Sequence, residues 1–214
     1  MVNRAQLTRS GLVRTLATLA LFTAVSLLHG QASGFNFTIG FADPIKVSGD
    51  TYHEPKSVLG LSYQQDLNHR FGIALDFFYG THGYNPASER SYDLIYSAKY
   101  FTSDNDDATS FYLGTFFGAQ SVKATVEEEV PNSSGYSSYV QSDHTRMQFP
   151  LGIRIGVRGG LDGYFGELFA QGGYAIGNGT IYRTSDGVTV GTSPLYFTLG
   201  FSFLGVGWDH RSKY

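Results

Sequence analysis

The chain has 214 residues, enough for one domain of ordinary size, with 27 glycines, 15% aromatic residues and only 15% charged residues. It contains no cysteine, which excludes disulfide bonds, cysteine-ligated metal sites and a lipid-modified N-terminal cysteine. Once residues 1–34 are removed, 12 basic and 18 acidic residues remain, and the resulting net charge of −6 disfavours nucleic acid as a partner.

The N-terminal residues have the pattern of a secretory signal peptide. Three arginines and no acidic residue come before an apolar run from Leu16 to Leu28, and small residues suited to cleavage follow it, most simply after Ala32. The run is shorter than the ~20 residues that a membrane-spanning helix needs, which disfavours the alternative of an N-terminal membrane anchor. We predict a cleaved signal peptide at residues 1–34 and one exported domain at residues 35–214.

From Phe35 onward the chain alternates apolar and polar residues with a period of two, which is typical of strands with one apolar face. Eight stretches of about 9 to 12 residues show this alternation, the length that a strand needs to cross a bilayer at a tilt. No segment after the signal peptide keeps the period of 3.6 that a helix requires. The predicted strands have their first apolar positions at Phe35, Leu59, Phe71, Tyr92, Phe111, Met147, Tyr164 and Leu195.

The connections between these strands alternate in length, as in transmembrane barrels with short periplasmic turns and long outer loops. Those after the second, fourth and sixth strands are short, and those after the first, third, fifth and seventh are longer. We predict that residues 123–141 form the longest irregular segment, and that residues 178–193 form a hairpin protruding past the barrel.

Alternation alone does not show which face points outward, because a soluble ligand-binding barrel turns its apolar face inward. Two features favour lipid on the outside. The polar face is rich in glycine, which suits the crowded axis of an eight-stranded barrel, and aromatic residues of the apolar face lie near the strand ends, as in the interfacial girdles of membrane barrels. The predicted girdles contain Phe71, Tyr100, Phe111, Tyr164 and Phe203 toward the short turns, and Tyr79, Tyr92 and Tyr174 toward the long loops.

With its signal peptide, strand pattern, uneven loops and aromatic-rich last strand, the chain resembles the small eight-stranded outer-membrane barrels of the OmpA/OmpX type, from Phe35 to about Trp208. The resemblance implies an all-β, eight-stranded antiparallel up-and-down transmembrane β-barrel in the outer membrane of a Gram-negative bacterium. It also implies insertion by the barrel insertion machinery, contact with outer-membrane lipid and lipopolysaccharide, and a surface ligand bound through the loops. We expect a monomer.

Charged residues on the polar face of the predicted strands form a candidate network inside the barrel. Opposite charges that fill a narrow interior act as a structural plug, and we favour this interpretation over a polar relay or gate for ions. The interior of an eight-stranded barrel holds side chains rather than an aqueous channel. The predicted lumenal residues are Arg154, Glu167, Asp76, Lys99, His82, Asp93, Arg146 and Arg158.

Turn lengths predict which of these residues face each other. The prediction assumes a four-residue loop at Gly159–Asp162 and a turn that pairs residue 84 with residue 91. The pairs expected on this basis are Arg154–Glu167, Asp76–Lys99 and His82–Asp93. For the first pair, we expect an exchange of both charges to preserve the fold better than Glu167→Ala alone.

The sequence holds one weak candidate for catalysis. Lipid A deacylase barrels use a His-x-Ser pair with an acid, and the only such spacing here is His210-Arg211-Ser212, in a polar tail with no acid placed to orient the histidine. Asp104, Asp106 and Asp107 lack the glycine and glutamate of a calcium loop. We therefore expect no enzyme activity, no cofactor and no metal site.

The function predicted from the sequence is structural, or a surface interaction of an adhesion-like kind. Its candidate surfaces are the acidic run Glu127–Glu129 and the Tyr/Ser-rich segment 133–139. Both also have the composition of ordinary solvated loops, which is the interpretation we prefer. The alternatives are a lipid-modifying enzyme of the lipid A deacylase kind, a narrow ion pore and a soluble ligand carrier.

Overall fold

The computed structural model describes residues 32–44, 46–48, 55–84, 87–103, 109–131, 137–161, 164–177, 182–183, 189–191 and 195–209. Several predictions lie outside the described residues. They concern most of the signal peptide (residues 1–31), the aspartates at 104–107, residues 133–136 of the Tyr/Ser-rich segment, and the tail with His210 and Ser212. The boundary of the signal peptide stays a prediction, with the first described strand beginning at Ala32.

The described strands, in chain order, are β1 (Ala32–Pro44), β2 (Lys46–Ser48), β3 (Pro55–Asp66), β4 (Phe71–Tyr84), β5 (Ala87–Phe101), β6 (Thr109–Pro131), β7 (Ser137–Leu161), β8 (Tyr164–Ile176), β9 (Tyr182–Arg183), β10 (Thr189–Gly191) and β11 (Leu195–Asp209). Eight of them close a barrel in the order β1-β3-β4-β5-β6-β7-β8-β11, and β11 returns to pair with β1. Every neighbouring pair is antiparallel. The predicted all-β, eight-stranded antiparallel up-and-down barrel is confirmed.

The barrel turns its apolar face outward and its polar face inward. In β1, Phe35 and Phe37 are 46% and 55% exposed, whereas Asn36 and Thr38 between and after them are 0% and 2% exposed. The same alternation continues in the other barrel strands, because successive side chains of a strand point to opposite faces. This distribution is the reverse of the one in a soluble barrel, whose exterior is polar.

The longest hairpin, formed by β6 and β7, continues well past the apolar part of the barrel. The strands stay paired from Lys123 opposite Thr145 to Pro131 opposite Ser137. For residues 123–131 and 137–141, the prediction of an irregular segment is therefore wrong. In this segment, larger apolar residues no longer alternate with polar ones, which is why the sequence pattern did not predict strands. Thr and Val residues continue, however, and they favour a strand that extends an existing ladder.

A second, small sheet lies outside the barrel ladder. It consists of β9, β10 and β2, with Val190 paired to both Tyr182 and Val47. The antiparallel pairing of β9 with β10 confirms the hairpin predicted within residues 178–193.

The register of β7 and β8 differs by four residues from the predicted one, so that prediction is wrong. The ladder continues to Leu161 opposite Tyr164, with only two residues between the strands. Arg154 therefore lies opposite Gln171 instead of Glu167. Those two connecting residues are Asp-Gly, a strong hairpin signal that the predicted four-residue loop did not use. The faces were nevertheless assigned correctly, because an even shift leaves each residue on its side of the sheet.

The register of β4 and β5 also differs from the prediction by four residues. Tyr84 pairs with Ala87, not with residue 91, because the ladder continues through the segment expected to be a loop. Asp76 consequently lies opposite Ile95, and Lys99 does not face it across the strands. The predicted Asp76–Lys99 strand pair is wrong, although both side chains point into the lumen.

The last barrel strand, β11, runs on to Asp209, past the point where its alternation stops. Its pairing with β8 shifts between Ser202 and Gly205, and this irregularity changes the phase of the alternation near Phe203. Within the described residues, no helix is long and apolar enough to cross a membrane.

Candidate functional site in the barrel lumen

The middle of the lumen contains four charged side chains from four strands, which we call the central cluster: Asp76 (β4), Lys99 (β5), Arg154 (β7) and Glu167 (β8). All four are between 0% and 2% exposed. Two positive and two negative charges balance within the cluster. Such burial is tolerated only where every charge has a close counter-charge and further hydrogen bonds.

Arg154 lies between the two carboxylates of the central cluster. Its Nη2 donates to Glu167 Oε1 at 2.8 Å, its Nη1 donates to Asp76 Oδ2, and its Nε donates to the Tyr112 hydroxyl at 3.2 Å. The predicted Arg154–Glu167 ion pair is thus present even though the two residues are not strand partners. Glu167 lies opposite Arg158, which is four residues from Arg154 on β7. The long side chain of Arg154 therefore extends along its own strand to reach the carboxylate.

Glu167 accepts hydrogen bonds on both of its carboxylate oxygens. Lys99 Nζ and Gln64 Nε2 each donate to Oε2 at 2.7 Å, and the Tyr112 hydroxyl donates to Oε1 alongside Arg154. These bonds connect six consecutive barrel strands, from β3 to β8, through one carboxylate and its neighbours. A buried hydrogen-bonded network of this kind favours one arrangement of the strands around it.

Aromatic rings close the remaining space around the cations. The Arg154 guanidinium carbon lies 3.8 Å from the centroid of the Phe169 ring, and Lys99 Nζ lies 4.9 Å from that of Tyr112. Both rings need a glycine beside them. A Cβ at Gly156 would meet the Tyr112 hydroxyl at 2.5 Å, and one at Gly200 would overlap the Phe169 ring. The glycine-rich inward face therefore makes room for large side chains near the axis.

A second ion pair lies toward the short turns. Arg158 Nη1 donates to both carboxylate oxygens of Asp66, at 2.8 and 3.0 Å. Its guanidinium also lies 4.5 Å from the centroid of the Phe165 ring. Arg158 therefore has an acidic partner that the sequence interpretation did not identify.

A third group lies toward the long loops. Lys56 Nζ donates to Glu89 Oε1 at 2.7 Å, and Arg146 Nη2 lies 3.7 Å from the other oxygen of the same carboxylate. All three side chains are at most 7% exposed. Arg146 therefore belongs to a buried group of three charged side chains.

The predicted pair of His82 and Asp93 does not form across the strands. His82 lies opposite Glu89, and Asp93 lies opposite Phe78. Asp93 Oδ2 instead accepts hydrogen bonds from Gln120 Nε2 at 3.2 Å and from the Tyr196 hydroxyl at 3.1 Å. Asp93 is buried, whereas His82 is partly exposed at the loop end of its strand.

Sequence reasoning missed several residues of the lumen because the predicted strand bounds were too narrow and because only histidine and charged side chains were considered. Lys56 and Glu89 stand just outside those bounds, and longer strands would have included them. Neutral polar residues and tyrosines at the inward-facing positions of the alternation could also have identified lumenal residues. The missed residues are Lys56, Gln64, Asp66, Glu89, Tyr112, Gln120 and Tyr196.

Among the described residues, the charged side chains of the lumen contact one another in ion pairs. The described residues contain no group of three histidine or acidic side chains that could hold a metal ion. In the central cluster, both carboxylates accept from Arg154, and Glu167 also accepts from Lys99. Hydrogen bonds between ionic groups are stronger than those between neutral groups, which suits the packing of a polar interior.

Comparison with solved structures shows the fold to which this barrel belongs. Neisserial surface protein A, from Neisseria, is 15% identical, with a TM-score of 0.50 over 81% of this chain and 96% of that one. Ail of Yersinia pestis is 13% identical, with a TM-score of 0.46, and the match covers 81% of this chain and 99% of Ail. The N-terminal barrel of Pseudomonas aeruginosa OprF (11%, TM-score 0.44) is also covered to 99%, over 84% of this chain. No protein-family model and no curated protein matches the chain.

A closed eight-stranded barrel with an apolar exterior defines the class of transmembrane β-barrels. Within that class, the chain has the fold of the small eight-stranded outer-membrane barrels, as its sequence predicts. At 15% identity, the likeness to Neisserial surface protein A establishes the fold and nothing about a ligand.

Proposed function

We propose that this chain is an integral barrel of a bacterial outer membrane, with a lumen closed by polar side chains and a role in surface contact through its long-loop end. The observation that carries the proposal is the inverted distribution of residues. Large apolar side chains are exposed around the barrel, while the ion pairs of the central cluster are buried inside it. A bilayer is the solvent that makes such an exterior stable.

The height of the apolar exterior supports this proposal. Between β4 and β5, the rings of Phe71 and Tyr100 are in tilted contact with their centroids 5.1 Å apart, and those of Tyr79 and Tyr92 with their centroids 5.3 Å apart. From Phe71 to Tyr79 the strand rises about 27 Å, or ~21 Å along the normal at a tilt of about 40°. This is close to the band of about 25 Å between aromatic girdles in outer-membrane barrels.

The central cluster supports a closed lumen. Its hydrogen bonds span six neighbouring strands, and the Arg154 guanidinium packs against the Phe169 ring. An ion crossing this level would have to separate buried charge pairs, which is costly. A plug is therefore favoured over the narrow ion pore.

The extended β6–β7 hairpin supports a role at the surface. It carries exposed side chains beyond the girdle of Tyr79 and Tyr92, among them Val140 at 46% exposure and the ion pair of Lys123 with Asp143 at 2.7 Å. A paired hairpin can hold a contact surface away from the lipid headgroups, where a partner reaches it. Neisserial surface protein A is a surface protein by its name and shares the fold.

Cell fractionation with gel electrophoresis tests the proposal. The protein, expressed in a Gram-negative host, should enter the outer-membrane fraction, need detergent for extraction, and migrate differently before and after boiling, because intact barrels resist the detergent of the gel. A protein in the soluble periplasmic fraction without a heat-dependent shift would favour the ligand carrier instead.

Two assays separate the remaining alternatives. We expect no stepwise conductance from the purified protein in planar bilayers, and a steady conductance would favour the pore. We also expect no lipid A deacylation, and the matched variants His210→Ala and Ser212→Ala should leave that result unchanged. An activity abolished by both variants would restore the enzyme interpretation.

A further inference from the structure

The small sheet of β2, β10 and β9 comes close to two opposite walls of the barrel. Strand β2 begins at Lys46, with a single residue between it and the end of β1 at Pro44. At the other edge of the sheet, Cα atoms of β9 lie within 8 Å of Cα atoms of β6. In the ring of barrel strands, β6 is the fourth strand from β1 in either direction. The two edges of the small sheet therefore lie beside walls that face each other across the mouth of the barrel.

The width of the small sheet decides between a route across the mouth and a route around the rim. Neighbouring strands lie about 4.8 Å apart, so β2 and β9 are separated by about 10 Å. With that spacing and a tilt of about 40°, an eight-stranded barrel has a backbone diameter of about 16 Å and a half-circumference of about 25 Å. The sheet covers more than half of the diameter but less than half of the path along the rim. The direct route across the mouth therefore fits.

Inward side chains at the loop ends of these walls are buried, although an open mouth would expose them to water. Ala42 of β1, Ala124 of β6 and Ala175 of β8 are 3%, 3% and 4% exposed. Ala42 and Ala175 lie within two residues of the loop ends of their strands, and Ala124 lies on the extended part of the β6–β7 hairpin. A short alanine side chain leaves room for another segment of backbone. Two of the three alanines belong to β1 and β6, the strands that the small sheet approaches.

One inward position at the mouth is partly exposed, and its place fits the same arrangement. His82 is on β4, the strand midway between β1 and β6 on one side of the ring. Strands β9 and β10 come between β8 and β11 in the chain, and these two barrel strands lie on the other side of the ring. A hairpin that enters from β8 and β11 and reaches the line between β1 and β6 covers its own half of the mouth. It leaves β4 farthest from the cover.

We propose that the chain's own small sheet, formed by β9, β10 and β2, is a cap that closes the long-loop mouth of the barrel and rests against the inner face of β6. The lumen is then closed twice along its axis, by the cap at the mouth and by the central cluster below it. A surface partner meets the cap and the β6–β7 hairpin, which the approach of β9 to β6 joins into one surface, and does not reach the lumen. The cap goes beyond the proposed role at the surface, since it also holds for a barrel without a surface partner.

Cysteine labelling of the protein in detergent micelles tests the cap. Ala124→Cys introduces a thiol on the inner face of β6, in a chain without native cysteine. We expect a bulky, water-soluble maleimide to label this thiol slowly in the full chain, because a covered group reacts only through local opening. When a short Gly/Ser turn replaces residues 178–193, the rate should rise about tenfold or more, since no opening is then required. Val140→Cys, at a position 46% exposed on the same hairpin, is the control and should react fast in both chains.

Equal labelling rates of Ala124→Cys in the full and the shortened chain, whether both fast or both slow, would overturn the proposal. Should the shortened chain fail to fold, Val190→Pro takes its place, because proline disrupts the central strand β10 and leaves the barrel strands unchanged. The same acceleration is expected there, and its absence would have the same meaning.

A disulfide pair tests the small sheet in the full chain. Val47→Cys with Val190→Cys should cross-link on mild oxidation, because the two residues are strand partners with Cα atoms about 4.5–5.5 Å apart. Val47→Cys with Tyr182→Cys is the matched control. Both of its positions pair with Val190, from opposite sides, so their Cα atoms lie about 10 Å apart, too far for a disulfide. Cross-linking of the control, or of neither pair, would overturn the cap.

Discussion

Glu167 connects more of the lumen than its predicted role as one half of an ion pair suggests. Its carboxylate accepts hydrogen bonds from Arg154, Lys99, Gln64 and Tyr112. Removing one member of a buried charge group leaves the others without compensation, which costs more than the group contributes as a whole. The single residue therefore controls the stability of a network that spans six strands.

We predict that Glu167→Gln lowers the free energy of unfolding by about 3–5 kcal/mol, because Arg154 and Lys99 then share one carboxylate in a buried site. Urea unfolding of the protein refolded into lipid vesicles measures this value. Lys123→Gln is the matched control, since it breaks an exposed ion pair and should leave stability close to that of the wild type. Equal effects of the two variants would contradict the assignment of Glu167 to the centre of the network.

The structure reverses the expectation for a charge exchange. The double variant Arg154→Glu with Glu167→Arg would place a carboxylate beside Asp76 and a guanidinium beside Lys99. We predict that it is no more stable than Glu167→Ala, measured by the same urea unfolding. The double variant Lys99→Met with Glu167→Gln removes one charge of each sign and should recover part of the loss. A stable charge-exchanged barrel would show that Arg154 and Glu167 form an isolated pair.

At the level of the strands, alternation predicted the faces correctly but did not determine the register. Arg154 and Asp76 were placed in the lumen because each falls on the polar phase of its strand. Their strand partners were wrong, because a shift by four residues preserves that phase. The turn residues carry the missing information. The contacts of Arg154 with Asp76 and Glu167 depend on side-chain reach across a closed barrel, which no pattern along one strand contains.

The register of β7 and β8 is open to a cross-linking test in a chain without native cysteine. We predict that Ile155→Cys with Ala170→Cys forms a disulfide on mild oxidation, because directly opposite residues of an antiparallel pair have Cα atoms about 4.5–5.5 Å apart. Ile155→Cys with Gly166→Cys is the control, which corresponds to the four-residue loop. Electrophoresis without reductant distinguishes the two, and cross-linking of the control alone would favour the other register.

In the β6–β7 hairpin, an exposed ion pair supplies a measurable pH dependence. Hydrogen bonds from Lys123 and Thr125 hold the pKa of Asp143 below its ordinary value of about 3.9. The stabilising contribution of the carboxylate is therefore complete above that value and is lost as the pH falls through the lower, folded-state pKa. We predict that NMR titration of the Asp143 carboxyl carbon shows the lowered pKa, and that Lys123→Gln raises it. An unchanged pKa in that variant would contradict the contact.

For the whole molecule, the central claim is that the barrel faces lipid on the outside and encloses a polar interior. The exterior and the lumen follow from one sequence pattern. Along each strand, apolar residues that favour a bilayer alternate with polar residues that fill the barrel axis. Three consecutive residues of strand β7 illustrate both faces of the barrel wall. Ile153 and Ile155 are 58% and 54% exposed, and Arg154 between them is 0% exposed.

Spin labels on single cysteines along β7 test this claim most directly in the protein reconstituted into lipid vesicles. We predict that labels at Met147, Leu151, Ile153 and Ile155 collide readily with oxygen, which concentrates in the bilayer, whereas labels at Gln148 and Gly152 do not. The accessibility to oxygen should therefore follow a period of two with its maxima at the odd positions. Maxima at the even positions, or odd positions reached mainly by a water-soluble relaxation agent, would contradict the account.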